Sequence, residues 1–411
     1  MNILSGRDFG APYAIHSDMQ VATMSEMYPA KSSETGRILI ADDQTHILEA
    51  LQMLLSTRGF STEAVTHPSR VLRALEIEQF DAVLMDLNYA RDTTSGCEGL
   101  ELVSQIRSLD PLLPVVVMTA WSSVDLAVEA MRRGASDFVQ KPWDNRDLLE
   151  KLHHQLSTVR AQRWAQRQRD EELREAREIQ RNLLPKKLPA APGYQIAAMT
   201  QSLRFVGGDF YSVMRISDRH TALCIADVAG KGLPAALLMS SLQAALKPLI
   251  GQGLAPQELC HRLNRIICDL TPVGKFISFF YAVLDHIEHR LTYCNAGHNP
   301  PLLIRRDGTS TELTAAGAVL GQFPQWLYEQ SELHMRSGDR LLLFTDGLVE
   351  ARNPDDEYFG EASLLHIARA NPNSSAAELM DLLLRAASQH CGEHFQDDAS
   401  LLVLQANERT N

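Results

Sequence analysis

The sequence predicts two folded domains of different class: a parallel α/β domain, then a mainly antiparallel α+β domain, joined by a helix. At 411 residues the chain is too long for one ordinary core. Short apolar runs alternate with helical stretches from residue 36 to about residue 148, whereas strand-like runs with hairpin turns dominate from residue 193. We therefore expect a doubly wound sheet of five strands followed by antiparallel sheets.

The composition is that of a globular protein with an acidic balance. The formal net charge is -12, and the six cysteines are scattered without a CxxC pair. An acidic chain is a poor general ligand for nucleic acid, because neutralising phosphates requires a basic surface. Scattered thiols fit a reducing compartment. Arg7 and Asp8 lie where a signal peptide needs an apolar run, and no apolar run approaches the length of a membrane span. We expect a cytoplasmic protein with no nucleic-acid or membrane partner.

The first domain is predicted to span residues 36–155, after a tail at 1–35 that shows no sustained periodicity and is expected to be disordered. It begins with the strand RILIAD and the helix THILEALQMLLSTRG. The alternation continues through AVLMDL, PVVVMTA and DFVQKP, with helical stretches between them. Strands and helices that alternate at these lengths are typical of a parallel sheet with crossover helices on both faces.

A long helix is predicted next, because no glycine or proline occurs from Leu148 until Pro185. Apolar residues recur in it at spacings of three and four, as in a coiled-coil seam. These residues are Leu149, Leu152, Leu156 and Val159, followed after a gap by Leu173, Ala176, Ile179 and Leu183. Residues 156–186 are therefore predicted to form a helical linker. It is either a solvated connector or a coiled coil that pairs with its twin in a homodimer.

The second domain is predicted to span residues 187–406. Strand-like runs such as HTALCIADV, FISFFYAVLDH and DRLLLFTDG follow one another, and helices such as PAALLMSSLQAALKPLI lie between some of them. Runs of strands with segregated helices indicate an α+β domain with mainly antiparallel sheets.

Polar residues end four strands of the first domain. Asp42 and Asp43 follow the first strand, Asp86 ends the third, and Thr119 and Lys141 end the fourth and fifth. The carboxyl ends of parallel strands meet at one edge of the sheet. Crowded carboxylates favour a hard cation such as Mg²⁺. With the metal bound, Asp86 can act as a nucleophile and form an aspartyl phosphate, while Thr119 and Lys141 contact the phosphoryl oxygens.

This arrangement resembles the receiver domain of bacterial two-component response regulators, over about residues 36–155. The resemblance implies that Asp86 is the phosphoacceptor and that a histidine kinase or phosphotransfer protein supplies the phosphoryl group. It also implies that Asp42 and Asp43 form the acidic Mg²⁺ site and that Asn88 is a ligand through its backbone carbonyl.

The same resemblance assigns the receiver's switch residues. Thr119 is implied as the switch hydroxyl, Phe138 as the switch aromatic, and Lys141 as the lysine before a cis peptide to Pro142. The chain departs from the family pattern in the long loop NYARDTTSGCEG after Asp86.

A second set of carboxylates occurs in four motifs of the second domain: VGGDFYS at 206–212, ADVAGKG at 226–232, FTDGLVE at 344–350 and QDDASLLV at 396–403. Carboxylates from well-separated strands suit a two-metal centre that clamps a phosphate and deprotonates a bridging water. Without metal, this much buried negative charge is unfavourable. Four unrelated turn aspartates are the alternative. A nucleotide-binding loop at GKG is excluded, because Ile225 and Gly232 occupy positions where that motif needs Gly and Ser or Thr.

The motifs AREIQRNLLP, VGGDFY, DVAGKG, NAGHNPP, GDRLLLFTDG and DDASLLVL occur in this order. They resemble the metal-dependent PPM-type serine/threonine phosphatases, and most of all their bacterial SpoIIE/RsbU branch, over about residues 176–405. The resemblance implies an α-β-β-α sandwich that binds two Mn²⁺ or Mg²⁺ ions between its sheets.

The residues of that site follow from the family pattern. Asp227 is implied as the ligand that bridges both ions, with a contribution from the carbonyl of Val228. Asp346 and Asp397 are implied to hold one ion, and Asp209 helps to hold the other. The bridging water would attack the phosphorus of a phosphoserine or phosphothreonine in line.

Three positions near these motifs need separate comment. Ser212 stands where the family usually has an aspartate after GGDFY, so one outer carboxylate is missing. Asp398 is a weaker candidate ligand than its neighbour Asp397. His298 in NAGHNPP is a family position for which a structural role at a turn competes with a catalytic one.

The combined resemblance implies a response regulator whose phosphatase output is controlled through Asp86. In this branch the substrates are typically phosphorylated STAS-type anti-sigma-factor antagonists. The competing interpretation is a non-catalytic adaptor that binds a sigma factor or its regulator. The four retained aspartates argue against it, whereas the missing carboxylate at Ser212 keeps it as an alternative. A DNA-binding regulator is a weaker third interpretation, because no helix-turn-helix follows the receiver and the chain is acidic.

Overall fold

The computed structural model describes residues 36–89, 97–120, 124–185, 187–203, 205–314 and 316–407. The chain divides into two compact units, Met1–Arg167 and Gln168–Asn411. The predicted tail and most of the long loop after Asp86 lie outside the described residues.

The first unit is built on five strands and the helices between them. The strands are β1 (Arg37–Ala41), β2 (Ser61–Val65), β3 (Ala82–Asp86), β4 (Val115–Ala120) and β5 (Asp137–Lys141), and the helices are α1 (Thr45–Ser56), α2 (Pro68–Ile77), α3 (Cys97–Leu109) and α4 (Val124–Arg132). All strand pairs are parallel, in the order β2-β1-β3-β4-β5. The predicted doubly wound α/β fold is confirmed.

Each face of this sheet has its own core because side chains alternate along a strand. Leu39 belongs to a cluster with Val103 of α3, whereas its neighbour Ile40 belongs to a cluster with Leu51 of α1. These residues are fully buried.

The predicted long helix is confirmed as α5 (Asn145–Leu183), with 39 residues. The first half of the predicted coiled-coil seam is wrong: Leu149, Leu152 and Leu156 are buried in the same cluster as Ile40. A helix that packs on a sheet shows the same spacing of three and four as a coiled coil, so sequence spacing could not separate the two. Further along, Ile179 is 66% exposed, so a pairing seam there stays a prediction.

The second unit contains two sheets and five helices in its described residues. The strands are β6 (Tyr194–Gln201), β7 (Phe210–Arg215), β8 (His220–Val228), β9 (Ile277–Asp285), β10 (Arg290–Ala296), β11 (Leu302–Ile304), β12 (Ser310–Glu312), β13 (Ala316–Gly317), β14 (Ser331–His334), β15 (Arg340–Phe344) and β16 (Ala399–Ala406), and the helices are α6 (Leu233–Ile250), α7 (Pro256–Leu270), α8 (Asp346–Val349), α9 (Gly360–Ala370) and α10 (Ala376–His390). One sheet has the order β13-β10-β9-β8-β7 with β14 beside β10, and the other has the order β12-β11-β15-β16-β6.

Alternating side chains in both sheets produce four layers. Cys224 of β8 lies in one core with Met239 of α6, whereas the next residue, Ile225, lies in a core shared with Leu343 of β15. Leu342 of β15 faces a third core that is formed with helices α8 to α10. Two sheets therefore pack face to face with helices outside each, which confirms the predicted α-β-β-α sandwich.

Helix α6 needs comment because, by length and composition alone, it could cross a membrane. This 18-residue helix contradicts the expectation that no apolar run approaches the length of a membrane span. Its buried residues, including Met239, Leu242 and Leu246, form the core beneath the first sheet, and the helix contains Lys247 and Pro248. Packing within the domain accounts for its apolar character.

Candidate phosphoryl and metal sites

The polar strand ends of the first unit meet as predicted. One oxygen from each of Asp42, Asp43 and Asp86 lies within 4.8 Å of the others. The ammonium group of Lys141 lies 2.6 Å from Oδ2 of Asp42 and 2.8 Å from Oδ2 of Asp86. Four of the predicted site residues, three acidic and one basic, therefore form one cluster at the carboxyl edge of the sheet.

Burial and charge oppose each other in this cluster. Burial raises the pKa of Asp86 above its usual value, and Lys141 only partly offsets the shift. For Lys141, burial lowers the pKa, but the two carboxylates outweigh it and the net pKa is raised. Oδ1 of Asp43 and Oδ1 of Asn88 are buried without a hydrogen-bond partner. Oxygen ligands, surplus negative charge and unpaired oxygens fit a divalent cation such as Mg²⁺.

Of the three predicted switch positions, Thr119 and Lys141 lie near the carboxyl ends of their strands, whereas Phe138 is the second residue of β5 and pairs with Val117. Thr119 is buried near the end of β4, and Phe138 in β5 is 41% exposed. The ammonium group of Lys151 lies 5.3 Å from the centre of the Phe138 ring. The Lys141–Pro142 peptide is cis, as predicted.

The second site lies at one end of the gap between the two sheets of the sandwich. In β8, Asp227 follows Leu223 and Ile225 at every second position, and those two residues face the other sheet. Asp209 precedes β7 on the face that carries Tyr211. Strand alternation therefore places both carboxylates on the inner faces of the sandwich.

Asp209 is held by the opposite sheet. The hydroxyl of Thr345, which follows β15, donates to Oδ2 of Asp209 at 2.7 Å, and the same hydroxyl accepts from the backbone N–H of Ser400 at 2.9 Å. Oδ1 of Asp209 is buried without a partner. Burial raises the pKa of Asp209 well above its usual range, and the charge of Asp227 adds to the shift. An oriented carboxylate with one unpaired buried oxygen fits a metal ligand.

The other carboxylates repel one another as well. Burial raises the pKa of Asp227 to about 7, with Asp346 and Asp397 contributing. Burial also raises the pKa of Asp346, followed by repulsion from Asp397. Among the described residues these acids are not gathered as tightly as the three in the first unit. Buried carboxylate oxygens that repel one another are ligands that divalent cations prefer, so the donor set fits cation binding.

Asp397 differs from the other three because a cation of the chain contacts it. The ammonium group of Lys231 lies 2.7 Å from Oδ2 of Asp397 and donates to the carbonyl of Gln396 at 2.8 Å. Lys231 belongs to the GKG motif. The lysine of this motif was not among the predicted site residues.

Asp398 has a structural role that the sequence did not reveal. Its Oδ1 accepts from the backbone N–H of Leu203, and its Oδ2 accepts from that of Gly208, both at 2.7 Å. Both oxygens are therefore used to hold the backbone just before Asp209. The DD pair in the sequence shows two acids but not which one faces the cavity.

His298 links the two sheets. Its Nδ1 accepts from the hydroxyl of Ser278 at 2.9 Å, and its Nε2 donates to the carbonyl of Phe344 at 3.1 Å. Burial lowers the pKa of His298 to about 4. A neutral, fully buried imidazole that joins β9 to the segment before Asp346 supports the structural interpretation.

Ser212, the position of the missing carboxylate, is buried within β7 beside Cys224 of β8.

Comparison with known proteins agrees with both units. Residues 38–153 match the response regulator receiver domain family, and residues 217–407 match the family described as stage II sporulation protein E. The phosphoserine phosphatase RsbU of Bacillus subtilis is 31% identical over 243 residues, which cover 59% of this chain and 72% of RsbU. Protein IcfG of Synechocystis is 27% identical over 62% of this chain and 45% of its own length.

A solved structure supports the fold of the second unit. The SiaA PP2C domain of Pseudomonas aeruginosa aligns with a TM-score of 0.51 and 22% identity, over 59% of this chain and 98% of that domain. Fold and comparisons together define a receiver domain combined with a PPM-type protein phosphatase domain. The chain belongs to the family of SpoIIE-type phosphatases that includes RsbU.

Proposed function

We propose that this protein is a response regulator whose metal-dependent phosphatase output removes phosphate from serine or threonine of a STAS-type anti-sigma-factor antagonist, under control of Asp86. The observation that carries the proposal is the convergence of Asp209, Asp227, Asp346 and Asp397 from four separate segments at one end of the inter-sheet gap. The name of RsbU, a phosphoserine phosphatase, supports the reaction class.

The chain's own residues prepare this site. Thr345 orients Asp209, and His298 fixes the backbone before Asp346 to the opposite sheet. Asp227, the last residue but one of β8, is close enough to Asp346 and Asp397 for their charges to raise its pKa. It is the proposed shared ligand, together with the carbonyl of the next residue, Val228. Divalent cations bound there would supply Lewis acidity that lowers the pKa of water and offsets charge on the phosphoryl oxygens. No strong protein base is then required.

The reaction is tested with Asp346→Asn and a matched control, Asp355→Asn at an exposed position. Purified protein is mixed with a phosphorylated STAS-type protein and Mn²⁺, and phosphate release is measured. We expect D346N to lose Mn²⁺-dependent release while its circular dichroism is unchanged, and D355N to keep it. Unchanged turnover in D346N would refute the metal role. Release from a generic phosphomonoester but not from the STAS protein would refute the substrate alone.

The adaptor interpretation is tested by the same preparation. A non-catalytic adaptor needs no cation, whereas the raised pKa values of Asp209, Asp227 and Asp346 favour a site that a cation completes. Calorimetric titration with Mn²⁺ separates the two. No uptake by the phosphatase domain would leave the adaptor as the better interpretation.

Regulation is proposed to begin at Asp86 and to act through paired linker helices in a cytoplasmic homodimer. The exposed Ile179 and Leu183 of α5 support pairing, because exposed apolar residues on one helix face favour a partner. Sedimentation with and without acetyl phosphate, for wild type and Asp86→Asn, tests this. A wild-type protein whose activity and assembly ignore acetyl phosphate would contradict it.

A further inference from the structure

We infer that Gln180, near the end of α5, is a positioning residue for the metal ligand Asp209, so that the linker helix is part of the scaffold of the metal centre. This inference rests on the proposed role of Asp209. Its starting observation is a pair of hydrogen bonds on one residue. Nε2 of Gln180 donates to the carbonyl of Gly207 at 2.7 Å, and its Oε1 accepts from the N–H of Gly207 at 3.1 Å.

The two bonds fix the side chain of Gln180. An amide that donates to a carbonyl and accepts from an N–H of the same residue has only one satisfied orientation. Gly207 is two residues before Asp209. Gln180 therefore couples the helix directly to the backbone that carries the ligand.

The opposite side of the turn is held by Asp398, which accepts from the N–H groups of Leu203 and Gly208. The turn has no spare room: a Cβ on Gly207 would lie 2.4 Å from Oδ2 of Asp398, and one on Gly208 would lie 3.1 Å from the carbonyl oxygen of Val228. Gln180 and Asp398 thus both bind the peptide group between Gly207 and Gly208, one at its carbonyl and the other at its N–H. A side chain at position 207 would collide with Asp398.

These hydrogen bonds to the backbone matter because the side chain of Asp209 has little conformational freedom of its own. Oδ2 is committed to Thr345, and the buried Oδ1 is left for a cation. A ligand held in this way transmits a backbone displacement to the metal. Loss of an outer partner of a metal ligand typically weakens metal binding about 10- to 100-fold. We expect loss of the Gln180 hydrogen bonds to have an effect of this size.

The end of α5 also contacts helix α6 and the core beneath it. The side-chain amide of Gln243 in α6 donates to the carbonyl of Leu183, and Leu184 packs against the core that contains α6. The last turns of α5 therefore contact the phosphatase domain at two places, one of which is the turn that carries Asp209. A displacement of α5 at these contacts would change the metal affinity through Gln180.

The experiment uses the full chain with Gln180→Met, which keeps the length of the side chain and removes both hydrogen bonds. The matched control is Gln168→Met, at an exposed position of the same helix. Mn²⁺ binding is measured by titration calorimetry. Amide exchange of residues 205–210 is measured by mass spectrometry on metal-free protein.

We expect Q180M to bind Mn²⁺ about 10-fold more weakly in the phosphatase domain and to show faster amide exchange in residues 205–210. Q168M should be unchanged in both measurements. Equal affinity and equal exchange in Q180M would overturn the inference, and so would a lowered melting temperature with unchanged affinity, which is the result of a merely structural contact. Should Q180M fail to fold, Gln180→Glu, which keeps the acceptor and loses the donor, replaces it. If wild type takes up no Mn²⁺, the proposed function fails, while exchange in the metal-free proteins still decides whether Gln180 holds the turn.

Discussion

Replacing Asp227 by Asn should stabilise the metal-free phosphatase domain, and the gain should grow with pH. Burial and the neighbouring carboxylates raise the pKa of Asp227 from 3.8 to about 7. In the folded state the group therefore holds its proton up to about pH 7, whereas in the unfolded chain it loses the proton above about pH 4. The unfolded state gains relative stability as pH rises through this window, and the cost of folding is complete above pH 7.

The magnitude follows from the pKa. Between pH 5 and pH 7 the wild type loses about 1.4 kcal/mol for each pH unit from this group, or about 3 kcal/mol in all. Asparagine does not titrate, so D227N should not show this loss. Relative to wild type, the variant is expected to be about 3 kcal/mol more stable at pH 8 than it is at pH 5.

Amide exchange of β8 and β9 in EDTA, at pH 5 and pH 8 and corrected for intrinsic rates, reports the unfolding free energy of this domain without interference from the receiver. Asp355→Asn, at an exposed position, is the control and should be neutral at both pH values. D227N should also take up less Mn²⁺. A difference between D227N and wild type that is the same at both pH values would refute the assignment of Asp227 as a carboxyl that burial keeps protonated.

Two further predictions concern other contacts of the sites. Lys141→Met removes the cation shared by Asp42 and Asp86, so the receiver should lose about 3 kcal/mol of unfolding free energy at neutral pH without Mg²⁺, measured by urea denaturation and partly restored by Mg²⁺. Arg146→Met, at an 87% exposed side chain, should leave it unchanged. Equal effects of the two substitutions would contradict the buried-pair argument. Gly347→Ala would place a Cβ 1.9 Å from the carbonyl oxygen of Asp398, so Mn²⁺ binding and melting temperature should both fall. Gly251→Ala, with its nearest contact at 3.5 Å, should alter neither, and a G347A protein that behaves like G251A would show that the turn tolerates a side chain.

The sequence by itself determined the classes of both domains. Alternation of strands and helices predicts a parallel sheet, and runs of strands with segregated helices predict an α+β domain with mainly antiparallel sheets. It also indicated the acids at strand ends, because a carboxylate after an apolar run lies at a sheet edge. Asp86 and Asp227 were found in this way.

Tertiary structure decided which partners these acids have. Leu149, Leu152 and Leu156 have coiled-coil spacing, yet they lie in the receiver core, because the spacing of a helix face does not specify what covers it. Asp397 and Asp398 are adjacent in sequence, but alternation along the chain turns one toward Lys231 and the other toward the backbone of Gly208. The hydrogen bonds between Gln180 and Gly207 join residues that are 27 positions apart. Such contacts depend on how separate elements pack in three dimensions, and no local pattern in the sequence encodes them.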